Sequence, residues 1–163
     1  MLILGIDPGT ATTGFGLLER NGKELTALDY GLIETSKDAL PEARLAIIYA
    51  KLILLIEKYK PDVLVIEAIF FATNAKTAIK VGQAQGVMLL SAAHKQIPVA
   101  VYAPMTIKKM VTGSGRSDKK EMQIHVRKIL GARIKSKAKQ KTHFDNAADA
   151  LAVALCHAFK IEL

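Results

Sequence analysis

The sequence predicts an α/β fold in which a mixed sheet of about five strands is covered by helices on both faces. Two observations carry that expectation. Three strand-like segments come first, two of them joined by a hairpin signal, and a helix–strand–helix–strand–helix order follows. Adjacent strands joined by a hairpin pair antiparallel, whereas strands separated by a helix enter a sheet in parallel through βαβ crossovers. A third observation fixes the scale: 163 residues, half of them apolar, suffice for a real core, and no internal repeat or composition break divides them. One domain spanning residues 1–163 is therefore expected.

Residues 2–7 read as a buried strand, Leu-Ile-Leu-Gly-Ile closed by Asp7. Thr13–Leu18 and Glu24–Ile33 are two more, joined by Asn21-Gly22, a strong hairpin signal. From Pro41 to Tyr59, Ala43, Ala46, Ile47, Ala50, Ile53 and Leu54 recur at helical spacing, and Lys60-Pro61-Asp62 stops the helix. Val63–Glu67 is a short, fully apolar strand ending in a carboxylate. Asn74–Lys95 is the next helix, Pro98–Ala103 the last strand, and Pro104 opens a helix through Met110. Thr112–Ser117 is a Gly/Ser loop. Asp118 can N-cap a helix to Leu130, which Gly131 ends. Residues 133–142 are basic and without apolar period, hence a loop, and Phe144–Phe159 is the final helix.

Composition excludes several classes. No apolar run approaches the ~20 residues of a membrane span, and the N-terminus enters a strand at residue 2 with no basic segment before it, so neither membrane insertion nor a signal peptide is expected. The single cysteine, Cys156, lies in an apolar helix as a small core residue. It rules out an internal disulfide framework and fits a reducing cytoplasm.

Chemistry enters through the acids. Asp7 and Glu67 each close a buried strand, where an unpartnered carboxylate is costly. Parallel neighbouring strands would set the two side by side at the carboxyl edge of the sheet, where open α/β folds keep their sites. Asp149, at the opening of an apolar helical stretch, could supply a third carboxylate. A divalent cation is the shared partner that suits all three, and hard Mg²⁺ or Mn²⁺ suits carboxylate oxygens. The four histidines, at 94, 125, 143 and 157, show no zinc-ligand spacing with the cysteine. Two such cations ~4 Å apart can orient a water and stabilise the leaving oxygen of a phosphodiester. Plainer roles stay open: Asp7 as a turn former before Pro8-Gly9, Asp149 as half of an ion pair on a helix face.

Charge is uneven. Residues 105–141 hold twelve Lys/Arg (108, 109, 116, 119, 120, 127, 128, 133, 135, 137, 139, 141) against Asp118 and Glu121, a local +10. The whole chain is +8, so the remainder is net −2. One basic region on a near-neutral domain is the footprint of a polyphosphate binder, with a solubilising surface as the bland alternative. Arg116 and the loop lysines Lys135, Lys137 and Lys139 are the candidate phosphate contacts.

Two family resemblances arise. Ile6-Asp7-Pro8-Gly9-Thr10 before a hairpin resembles the first phosphate loop of actin, sugar kinases and heat-shock ATPases. Those folds need two such domains and a second phosphate loop, and they give Glu67 no role. The more extensive resemblance rests on four ordered motifs: Gly5-Ile-Asp-Pro-Gly9; Glu67-Ala-Ile-Phe-Phe71 leading to Asn74; Gly82-Gln-Ala-Gln-Gly86; and Ala147-Ala-Asp-Ala-Leu-Ala152 running to His157. Together they resemble the RuvC family of bacterial Holliday-junction resolvases over essentially the whole chain.

That resemblance implies a ribonuclease-H-like fold, a homodimer, Mg²⁺-dependent symmetrical nicking of four-way DNA junctions, and cooperation with RuvA and RuvB. It implies that Asp7, Glu67 and Asp149 bind metal, that Lys108 and Lys119 lie near the DNA with Lys119 assisting at the scissile phosphate, and that Phe70 stacks on an unpaired base. Gly82 and Gly86, four apart on a helix, would form part of the dimer face. One position departs from the family: Asn146 stands where the last motif usually places an Asp or His metal ligand. Either Asp145 or His143 compensates, or Asn146 marks a weakened, junction-binding variant.

Overall fold

The computed structural model describes residues 1–69, 75–131 and 141–161, with the backbone alone for 141–146. Five strands, β1 (Leu2–Asp7), β2 (Thr12–Asn21), β3 (Glu24–Glu34), β4 (Val63–Glu67) and β5 (Val99–Tyr102), form one sheet in the order β3-β2-β1-β4-β5. β1 pairs antiparallel with β2 and parallel with β4, and β4 pairs parallel with β5. The expected mixed five-stranded sheet is therefore present. The central strands β1 and β4 are buried on both sides, which is why they read as continuous apolar runs instead of alternating ones.

Helices α1 (Pro41–Tyr59) and α2 (Ala75–His94) cover one face. There Leu4, Ile6, Leu64 and Ile66 pack on Ile48, Leu52, Ile56, Ala84 and Met88. The other face holds α3 (Pro104–Thr112), α4 (Lys119–Leu130) and α5 (Lys141–Lys160). Ile3, Val63 and Val65 meet Ile107, Val111, Met122, Val126, Leu151 and Leu155 there. Each fully buried aliphatic side chain contributes ~1.5–3 kcal/mol, so the two layers together dominate the favourable side of folding.

The helix boundaries follow from local chemistry. Pro at the first helical position opens α1 and α3. Lys60 ends α1 in the left-handed region at φ 50°, its N–H donating to the Ile56 carbonyl, and Pro61 prevents continuation. Asp118 and Glu121 close a reciprocal capping box on α4: Glu121 N–H donates to Asp118 Oδ1 at 2.8 Å, and Asp118 N–H to Glu121 Oε2 at 3.1 Å.

Three details differ from the sequence reading. The hairpin turn is centred on Gly22-Lys23, since Asn21 pairs with Glu24 and Gly22 takes φ 61°; a glycine at the first central position is what a type II′ turn requires. A bulge at Leu28, between the Leu17–Asp29 and Leu18–Ala27 pairs, lets both strands run longer than expected. Finally, α5 begins at Lys141, so Lys141 and Thr142 are helical and not loop, and Asp149 lies in the helix interior. Periodicity missed this because the first turn carries no apolar stripe.

Candidate active site

Asp7 and Glu67 end β1 and β4. Ile6 pairs with Ile66 in parallel register, so the residues that follow them emerge side by side at the carboxyl edge. The turn after Asp7 is held by other groups: Thr13 Oγ1 donates to the Gly9 carbonyl at 2.6 Å and Thr35 Oγ1 to the Thr10 carbonyl. Asp7 is thus not required as the turn former.

The third carboxylate arrives on α5, and two glycines set how close that helix comes. Gly5 and Gly16 face each other across β1 and β2. A Cβ on Gly5 would lie 2.3 Å from the Ala150 carbonyl oxygen, and one on Gly16 would lie 2.8 Å from the Leu151 nitrogen. Only glycine lets the α5 backbone rest on the sheet here, one residue beyond Asp149.

The acids sense one another. Burial pushes the Asp7 carboxyl up to about 7, with Glu67 and Asp149 adding repulsion and Lys119 opposing it. Burial likewise pushes Glu67 up to about 7, helped by Asp149 and offset by Lys108 and Lys119. Lys119, the first residue of α4, places its ammonium 2.9 Å from Asp149 Oδ2. The ion-pair role considered for Asp149 therefore coexists with its place in the acidic group. Glu67, Asp149, Lys108 and Lys119 line one cavity of about 230 Å³, walled by Pro104, Ile107, Met122 and Ala152.

As the side chains lie, no three His, Cys, Asp or Glu groups among the described residues already enclose a metal position. The chemistry of the donor set nevertheless fits a hard divalent cation. Three carboxylates, two of them raised towards neutrality by burial and mutual repulsion, are oxygen donors that a cation would relieve. Rotation of Asp149 away from Lys119 would turn it to that use.

Other expected residues fall elsewhere. Arg116 lines a separate open cavity of about 530 Å³ with Met105, Thr106, Lys109 and the Gly113–Gly115 turn. Phe70, Lys135, Lys137 and Lys139 lie outside the described residues, and Asn146 is placed only as a backbone position in α5, three residues before Asp149. His94 pairs with Tyr49, His125 with the Glu121 carbonyl and His157 with Tyr102. The roles of Gly5 with Gly16, and of the Tyr102–His157 contact, were missed from sequence. Gly5 belongs to the first of the four motifs, but nothing local marks its partner helix.

A family model described as "Crossover junction endodeoxyribonuclease RuvC" matches residues 3–157. The chain belongs to the RuvC family. A RuvC from Moorella thermoacetica is 48% identical over 158 residues, covering 97% of this chain and 91% of that relative. The solved structure of Thermus thermophilus RuvC superposes with a TM-score of 0.85 at 33% identity, covering 99% of this chain and 96% of that one. T. thermophilus RuvC in complex with Holliday junction substrate gives 0.87, also at 33% identity, with coverages of 99% and 94%. The fold is accordingly ribonuclease-H-like, and the region around Asp7, Glu67 and Asp149 in this RuvC-family chain is its candidate nuclease centre.

Proposed function

We propose that this chain is a crossover junction endodeoxyribonuclease, which resolves four-way DNA junctions by paired, symmetrical nicks during recombination and repair. The observation that carries the reading is the meeting of Asp7, Glu67 and Asp149 at one sheet edge, beside Lys108 and Lys119. Acids alone could be structural, and lysines alone could be solubilising. A buried acidic group flanked by lysines suits a phosphodiester approached by metal.

Asp7, Glu67 and Asp149 would hold Mg²⁺, with Mn²⁺ as a substitute and two ions per site, and Asn146 would offer a neutral oxygen at the fourth position. Bound divalent cations supply an activated water and charge neutralisation at the leaving oxygen. Lys108 and Lys119 draw the scissile phosphate into the site and offset its charge, and Lys119 is freed for this as Asp149 turns from it. Arg116, with Lys135, Lys137 and Lys139, extends phosphate contacts outward, and Phe70 stacks on an unpaired base.

Symmetrical nicking asks for two sites, hence a homodimer. On α2, Ile79, Gly82, Gly86 and Leu90 follow helical spacing along one stripe, where Ile79 is 62% exposed and a Cβ on Gly86 would meet nothing within 4 Å among the described residues. Leu54 on α1 is another exposed aliphatic, at 59%. That surface supports an isologous contact between two copies. Work alongside RuvA and RuvB in the cytoplasm follows from the family. No helix among the described residues is long and apolar enough to cross a membrane.

A second reading, a catalytically weakened junction binder, is favoured by one observation: Asn146 stands where the family resemblance places an Asp or His ligand. Incubation of a synthetic mobile junction with Mg²⁺, beside a linear duplex, separates the possibilities. Paired nicks in the junction alone support the resolvase. Binding without nicking supports the weakened form, and nicking of both substrates indicates a general nuclease.

A further inference from the structure

Tyr102 is the register partner of Glu67 across β4 and β5, and its carbonyl accepts the Ala68 N–H at 2.8 Å. Its main chain therefore fixes the peptide immediately beyond the Glu67 carboxylate. Its side chain points the other connection. The Tyr102 hydroxyl and His157 Nδ1 are hydrogen-bonded at 2.8 Å, with ring centroids 5.8 Å apart and tilted by 41°. His157 is 9% exposed and sits in α5, eight residues beyond Asp149, or ~12 Å along the helix axis at 1.5 Å per residue.

The glycine contacts pin α5 to β1 and β2 and so govern Asp149 relative to Asp7. They do not reach β4 and β5, where Glu67 stands. The Tyr102–His157 bond ties the same helix to that side of the sheet. A half-buried hydroxyl–imidazole bond adds little net stability, because both groups give up water to make it. It does fix an angle, since each ring must present one atom to the other.

We infer that Tyr102 and His157 are positioning residues, a cross-tie between β5 and α5 that sets the spacing of Glu67 and Asp149 for the reaction. The inference rests on the nuclease reading of this site. Neither residue touches substrate; both act through the two carboxylates. Lys160, whose Nζ lies 5.2 Å from the Tyr102 ring centroid, closes the outer side of the contact.

The test compares Tyr102→Phe, His157→Leu and His157→Asn with the wild type, in full-length protein. Two readouts are taken: Mn²⁺ binding to the DNA-free protein by EPR titration, and junction cleavage as a function of Mg²⁺. Loss of the tie is expected to weaken Mn²⁺ binding severalfold and to lower cleavage at fixed Mg²⁺ roughly tenfold, since misplacement by a fraction of an ångström is felt at a metal site. Junction binding in Ca²⁺ should stay unchanged. His157→Asn, whose amide can reach the place of Nδ1, should recover most of both losses, and the Tyr102→Phe/His157→Leu pair should do no more harm than either alone. Mn²⁺ binding and Mg²⁺ dependence identical to wild type in Tyr102→Phe and His157→Leu would overturn the inference, even with a lowered melting temperature. Tyr102→Phe removes one oxygen and keeps the shape, so it serves if the leucine variant does not fold. A wild type that binds Mn²⁺ but cuts no junction refutes the nuclease reading instead, and the Mn²⁺ titrations still decide the cross-tie.

Discussion

Gly5→Ala adds a single methyl group that meets the α5 backbone and no carboxylate, so its effect isolates the role of helix placement. The added Cβ would lie 2.3 Å from the Ala150 carbonyl oxygen, 2.8 Å from the Ala154 nitrogen and 3.0 Å from the Ala154 Cβ. Two of the three obstacles are backbone and cannot rotate away. Reaching an ordinary 3.4 Å contact requires about 1 Å of movement by α5. Such overpacking costs ~1–3 kcal/mol of stability. The functional effect should be larger, because Asp149 precedes Ala150 and moves with it, and a 1 Å misplacement can cost ~100-fold in rate. Chemical denaturation gives the first quantity and single-turnover cleavage of a synthetic junction the second. Gly5→Ala with wild-type cleavage would refute the claim that this contact positions Asp149.

Four further outcomes are expected. Asp7→Asn should abolish nicking while junction affinity is kept or raised, as affinity comes from the basic region; loss of both in a folded variant would assign Asp7 to binding or scaffolding. Asp7 and Glu67 have folded-state values near 7 against 3.8 and 4.5 ordinarily, so the stability tied to their protonated forms is present below pH ~4 and is lost as pH rises through 7. In metal-free protein, Asp7→Asn and Glu67→Gln should therefore raise the melting temperature at pH 8 and flatten its pH dependence, and equal or lower melting temperatures there contradict the burial account. Replacing Lys135, Lys137 and Lys139 with Ala should reduce the salt-dependence slope of junction binding by roughly two to three contacts' worth, at ~0.9 per phosphate; an unchanged slope returns that segment to a solubilising role. Asn146→Asp should speed Mg²⁺-dependent cleavage, and if it does not while Asp145→Asn stops cleavage, the ligand is Asp145.

Much of this was legible because it repeats along the chain. The burial of β1 and β4 shows as unbroken apolar runs, and their parallel pairing follows from the helix between them, which is enough to bring Asp7 and Glu67 together. The capping box on α4 is a four-residue pattern and was read from Asp118 alone. What was not legible is pairwise and remote. The contact of Gly5 with Ala150 joins residues at opposite ends of the chain, and Tyr102 with His157 spans 55 positions. Neither leaves a period or a local motif. The start of α5 was misplaced for a related reason: a basic first turn looks like the basic loop before it, and only the backbone distinguishes them. Asn146 is the sixth residue of α5, beyond the first turn where a helix dipole rewards added negative charge, so no dipole gain in stability should accompany Asn146→Asp.

The same placement explains how an expensive site persists. Burying Asp7 and Glu67 beside Asp149 gathers three acids where water is scarce, and burial first, then the neighbouring carboxylates, disfavours the ionised forms of Asp7 and Glu67. Left to themselves, such groups would push the strand ends and α5 apart. The fold opposes this from two sides. Gly5 and Gly16 let the α5 backbone lie against the sheet, where Leu151, Val153 and Leu155 are fully buried in the layer beneath. Lys119, held at the start of α4 by the Asp118–Glu121 capping box, answers Asp149 directly at 2.9 Å. Hydrophobic packing fixes where the acids are, and a nearby ammonium makes their closeness tolerable. The strain thus sits at the sheet edge, beside the cavity, and the apolar layers on either face remain free of charge.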